Sequence, residues 1–118
     1  QKELYSMSLE QINHNSNLIK ADMSFKEFTE KSWKLPEEYY GNRYSVMVHG
    51  IGLCDEWPSI RYPTDGGDKS GRFLKNMTIT VESYIGKVGG KEGVKLEQQY
   101  LVGENGLELM SHHPLEDI

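Results

Sequence analysis

The sequence predicts an α+β chain in which helices come first and an antiparallel sheet follows. Three observations carry that expectation. A helical stripe and a capping box occupy the first third. The run Met77-Thr-Ile-Thr-Val-Glu82 alternates apolar and polar residues, as a half-buried strand does. Val94-Lys-Leu-Glu97-Gln-Gln-Tyr-Leu-Val102 is its natural partner, across the glycine-rich connection Gly86-Lys-Val-Gly89-Gly90-Lys-Glu-Gly93.

Residues 3 to about 20 carry Leu4, Met7, Ile12, Leu18 and Ile19, a loose helical stripe that Asn13-His-Asn-Ser-Asn17 is expected to interrupt. Ser24-Phe-Lys-Glu27 fits a capping box, so a second helix should start at Ser24, run to about Trp33 and end by Pro36. Residues 39 to 43 read as a polar, aromatic connector. Tyr44-Ser-Val-Met-Val48 is β-branched and apolar enough for a strand that delivers His49 at its end. Gly50-Ile-Gly52 is a tight loop, and residues 57 to 72 form a long irregular segment rich in Gly, Pro and Asp. After the hairpin, Gly103-Glu-Asn-Gly106 makes a further turn before the short strand Leu107-Glu-Leu-Met110.

At 118 residues the chain is long enough for one small core, and its 36% hydrophobic content is modest. Part of the apolar surface is expected to need a partner or more chain. A net charge of -5 argues against nucleic acid or an anionic membrane as the main ligand and leaves room for a metal or a cationic small molecule. The single cysteine, Cys54, excludes an internal disulfide and suits a reducing compartment, the cytoplasm. No apolar stretch approaches a membrane span. The chain opens at Gln1 without a methionine, inside what reads as a helix, and is expected to be a piece of something longer or a chain whose start was removed.

The candidate chemistry centres on two carboxylates. Gly89-Gly90 lies midway between Glu82 and Glu97, so a symmetric turn there pairs the two directly, side chains on one face. Like charges in that position repel, and a cation between them reverses the sign. A slipped register or a long loop would instead leave both solvated. His49, after an apolar strand and before glycines that allow close backbone approach, is either a hydrogen-bonded core histidine or a third metal donor. Asp55, in Asp55-Glu56-Trp57-Pro58, is either a turn acid or a general base tuned by its aromatic neighbour. Tyr39, Tyr40, Tyr44, Trp57, Tyr62 and Tyr84 are either packing aromatics or a cage for a cationic ligand. His14, His112 and His113 read as surface residues, and Cys54 as a small buried hydrophobe. Thr64-Asp-Gly-Gly-Asp68 fits no metal-loop spacing, and Asn76-Met-Thr78 is a glycosylation sequon by pattern only, inside an expected strand.

Taken together, His49-Gly-Ile-Gly-Leu53, Met77-Thr-Ile-Thr-Val-Glu82 and Gly93-Val-Lys-Leu-Glu97 resemble the last three metal-binding motifs of the pita-bread metallohydrolases, in the same order and at similar spacing. That superfamily includes methionine aminopeptidase, aminopeptidase P, prolidase and creatinase. The resemblance covers about the whole chain but only the C-terminal part of a catalytic domain. It implies a curved antiparallel sheet with helices on its outer face, and residues 1–118 as the C-terminal part of a pita-bread domain. It also implies that His49, Glu82 and Glu97 ligate a divalent transition metal, dinuclear in the full-length protein.

Two departures stand out. The family takes two aspartate ligands from upstream strands, and Asp22 is the only aspartate before His49. The peptidases also place a second histidine after the glycine loop, where this chain has Leu53-Cys-Asp-Glu-Trp-Pro58. One branch shares that substitution. Arg43-Tyr-Ser-Val-Met-Val-His-Gly-Ile-Gly-Leu-Cys-Asp-Glu-Trp-Pro-Ser59, with Val81-Glu-Ser-Tyr84, is similar to the dimethylsulfoniopropionate lyases of the DddP type. This resemblance implies Asp55 as the base, Tyr44 as a catalytic residue lining the substrate site beside Trp57, and an iron-type centre, with manganese, zinc or cobalt as alternatives. The implied partners are a small sulfonium zwitterion, the missing N-terminal part of the same protein and a second copy in a homodimer. A prolidase-like peptidase and a metal-free binding module are the rival expectations.

Overall fold

The computed structural model describes residues 2–41, 46–51, 58–62, 65, 70–86 and 93–110. Helix α1 spans Lys2–Leu18, α2 Phe25–Lys31 and α3 Glu37–Tyr40. Strands β1 (Val46–Gly50), β2 (Ser59–Arg61), β3 (Thr78–Gly86), β4 (Gly93–Val102) and β5 (Leu107–Leu109) form one antiparallel sheet in the order β2-β1-β3-β4-β5. No described helix is long and apolar enough to cross a membrane.

The central hairpin has the register expected of it. Glu82 pairs with Glu97 and Gly86 with Gly93, so the axis of the pairing falls between Gly89 and Gly90, though the turn itself lies outside the described residues. Period-two alternation then sorts the side chains. Thr80, Glu82, Gln99 and Glu97 share one face, while Ile79, Val81 and Ser83 face α1. Ile79, Val81 and Ile85 join Val48, Ile60 and Val102 in the core. Phe73 closes it from the side, edge-on to Phe25 with ring centroids 5.0 Å apart.

Several local expectations are corrected. The asparagine run does not interrupt α1, because Asn15 is buried and its Oδ1 accepts from the Trp33 backbone N–H at 2.8 Å. That contact also helps to end α2 at Lys31, short of Trp33: Ser32 Oγ donates to the Thr29 carbonyl, and a His14 ring nitrogen lies 2.9 Å from the Lys31 carbonyl. The start of α2 is as expected, with Ser24 Oγ accepting from the Glu27 N–H at 3.0 Å. Tyr39 and Tyr40, expected in a connector, belong instead to α3, which starts directly after Pro36. The segment expected to be irregular contains β2, held by pairing with β1. His49 sits inside β1 rather than beyond it. Asn76 lies in a turn before β3, at φ 73°, rather than in a strand.

A candidate metal centre on the sheet face away from the first helix

His49 pairs with Thr80 across β1 and β3, which places its ring diagonal to Glu82 on the face away from α1. Its Nε2 lies 3.1 Å from Glu82 Oε2. The other ring nitrogen, Nδ1, is 3.0 Å from the Gly50 carbonyl. With the proton assigned to Nδ1 by that contact, Nε2 presents its lone pair to the carboxylate. Metal-ligating histidines are held in this way, one nitrogen donating to a carbonyl and the other on the ion.

Glu82 is only 3% exposed, and its Oε2 has no hydrogen-bond partner despite the nearby imidazole. The contact is within ion-pair reach but off the line that a ring N–H needs. Burial pushes the Glu82 carboxyl above its ordinary value of 4.5, and the Glu97 carboxylate adds to this. His49, when protonated, and Lys95 pull it back. A buried carboxylate oxygen without a donor, facing an imidazole lone pair, is a pair of donors that a cation would join. The spacing agrees, since ligand atoms about 2.1 Å from one ion at angles of about 90–110° stand about 3.0–3.4 Å apart. The donor chemistry fits a divalent metal.

Glu97 lies directly opposite Glu82 in the ladder and is exposed. Among the described residues no three His, Cys, Asp or Glu side chains gather closely enough to hold an ion. The structure therefore brings His49 and Glu82 together and sets Glu97 one strand away on the same face. Tyr44, Asp55 and Trp57 lie outside the described residues, as do Cys54, His112 and His113. Of the remaining aromatics, Tyr39 and Tyr62 are core residues, and Tyr40 packs edge-on to Tyr62 at 5.9 Å. Asp22 is an exposed turn residue at φ 73° whose carbonyl accepts from the Arg72 guanidinium.

Lys95 was not singled out by the sequence pattern. It pairs with Tyr84, shares the face of Glu82 and Glu97, and brings Nζ to 3.6 Å from Glu82 Oε1. The i, i+2 spacing from Glu97 gives the shared face but not the contact with Glu82. Tyr84 lies over Gly93, where a Cβ would come within 2.5 Å of its hydroxyl oxygen. A cavity of about 570 Å³ opens between the start of α1 and residues 93–96. Of the candidate centre it touches only Lys95.

An open antiparallel sheet with helices against one face and acid and imidazole donors on the other is the C-terminal portion of the pita-bread fold. The prolidase from Pyrococcus furiosus superposes with a TM-score of 0.75 at 28% identity, covering 97% of this chain and 33% of that one. The chain belongs to metallopeptidase family M24, whose model matches residues 1–104. It is 35% identical over 109 residues to the dimethylsulfoniopropionate lyase DddP of Roseovarius nubinhibens, across 91% of this chain and 24% of that protein. It is 32% identical over 117 residues to the protein of the same name from Roseobacter denitrificans, across 96% of this chain and 26% of that protein. The chain thus spans about a quarter of the length of these curated relatives.

Proposed function

We propose that the protein carrying this chain is a metal-dependent carbon–sulfur lyase that splits dimethylsulfoniopropionate into dimethyl sulfide and acrylate. The observation that carries this reading is the likeness to the two DddP lyases along nearly the whole chain. His49, Glu82 and Glu97 would hold a divalent transition metal, iron first among manganese, zinc and cobalt. Upstream carboxylates from the rest of the protein would complete a dinuclear centre. When bound, the metal supplies a Lewis acid for the substrate carboxylate.

The chain's own residues do the rest. Asp55 takes the proton α to the substrate carboxylate. The C–H electron pair becomes the new C=C bond, and the C–S pair leaves with sulfur, so the cation departs as a neutral thioether. In this reading Tyr44 and Trp57 line the substrate site, where an aromatic face can hold a sulfonium at about 0.5–2 kcal/mol per contact. No water nucleophile is needed, so the stretch Leu53-Cys-Asp-Glu-Trp-Pro58 can lack the peptidase histidine. The protein is placed in the cytoplasm as a homodimer under the same reading. The likeness to prolidase favours a second reading, hydrolysis of X-Pro dipeptides at the same centre. A metal-free binding module remains the rival from outside enzymology, and it takes up no metal.

The test uses purified intact protein, with headspace dimethyl sulfide and metal content measured in parallel. Asp55→Asn removes the base with almost no change of shape, and should lower dimethyl sulfide release by about 10²–10⁴-fold at unchanged metal content. His49→Ala should lower metal content and release together. An Asp55→Asn variant with the wild-type rate would sink the assignment of the base.

A further inference from the structure

We propose that Lys95 is a tethered counter-ion that competes with the metal for Glu82. This rests on the metal reading of His49 and Glu82. Lys95 Nζ stands 3.6 Å from Glu82 Oε1, and the Lys95 side chain is half exposed whereas Glu82 is 3% exposed. A buried carboxylate needs a compensating charge, and in the metal-free chain the ammonium supplies it from the solvent side of the sheet. The pairing register puts Lys95 on the same face as both glutamates, one alternation along β4 from Glu97.

The same charge opposes an incoming cation. A lysine ammonium within a few ångströms of a divalent ion repels it by an amount that even a high effective dielectric leaves appreciable. The stem is long and flexible, so the ammonium can swing into solvent when the ion arrives, without movement of the strand. Lys95 therefore stabilises the metal-free state and lowers metal affinity. A purely structural ion pair would do only the first.

The experiment is isothermal titration of the intact, metal-stripped protein with manganese in dilute salt, beside urea unfolding of the metal-free form. Lys95→Met and Lys95→Gln should bind manganese roughly three- to thirtyfold more tightly and unfold at lower urea. Lys95→Arg keeps the charge and should match the wild type in both. Unchanged or weaker manganese binding by Lys95→Met and Lys95→Gln, in a wild type that binds the ion, overturns the role of Lys95 alone. A wild type that takes up no manganese overturns the metal reading and this inference with it.

Discussion

Glu82 Oε2 and His49 Nε2 face each other at 3.1 Å with no hydrogen bond between them. With the ring proton on Nδ1, both atoms present lone pairs, so the metal-free site is held against its own electrostatics. Glu82→Gln should relieve that conflict: its amide can donate to Nε2, and no buried anion remains. Urea unfolding of the metal-free protein should show a gain of about 1 kcal/mol, together with loss of tight metal binding. The pH dependence has a definite sign. The carboxyl is raised above 4.5 in the folded state, so its protonated form is preferred there. Its penalty is absent below the unfolded value, grows as the pH rises toward the folded value, and is constant above it. Metal-free wild type should lose stability along that rise, and Glu82→Gln should lack that part of the profile. That Glu82 and Glu97 share a face was legible because alternation and a symmetric glycine connection fix the hairpin register, whereas the place of His49 beside them comes from the pairing of β1 with β3. The role of Lys95 was not legible, because its contact with Glu82 runs diagonally across two strands. Neither was the Nδ1 contact to Gly50, which depends on the strand continuing past His49.

Among the elements, the β3–β4 hairpin was the most legible and the joints around α2 the least. A hairpin register follows from sequence-local alternation, and a one-residue slip would bury the wrong face. The end of α2 is set instead by Asn15 and His14 reaching over from α1, and β2 exists through its pairing with β1. Such tertiary hydrogen bonds leave no periodic trace. The most consequential of them lies under the site. Ser8 Oγ donates to Ser83 Oγ at 2.8 Å, and Ser83 Oγ donates to Gln11 Oε1 at 2.6 Å. Gln11 Nε2 in turn donates to the Tyr62 hydroxyl at 2.6 Å. This buried chain ties α1 to the strand that carries Glu82. Gln11→Leu conserves most of the volume but takes a partner from both Ser83 and Tyr62. It should cost about 1–3 kcal/mol in urea unfolding of the intact protein. A cost near zero would mean that the two hydroxyls find other partners.

At the scale of the whole molecule, the proposed centre is divided. This chain supplies an imidazole and a carboxylate in contact, a second carboxylate across the ladder, and a lysine 3.6 Å from the first carboxylate. It spans about a quarter of the length of the two curated relatives, and the proposed centre takes its further carboxylates from outside the chain. The isolated 118-residue chain should therefore bind manganese at least tenfold more weakly than the intact protein and release no dimethyl sulfide. Tight, stoichiometric uptake by the chain alone would show that its own donors suffice. The fold and the family were legible in the order of three motifs. The substrate is the part that sequence and fold leave to chemistry, since one metal centre can serve elimination or hydrolysis. The most direct measurement supplies the metal-loaded intact protein with dimethylsulfoniopropionate and, separately, with an X-Pro dipeptide. The account predicts headspace dimethyl sulfide with an equal yield of acrylate, and no proline from the dipeptide. Release of proline without dimethyl sulfide would contradict it.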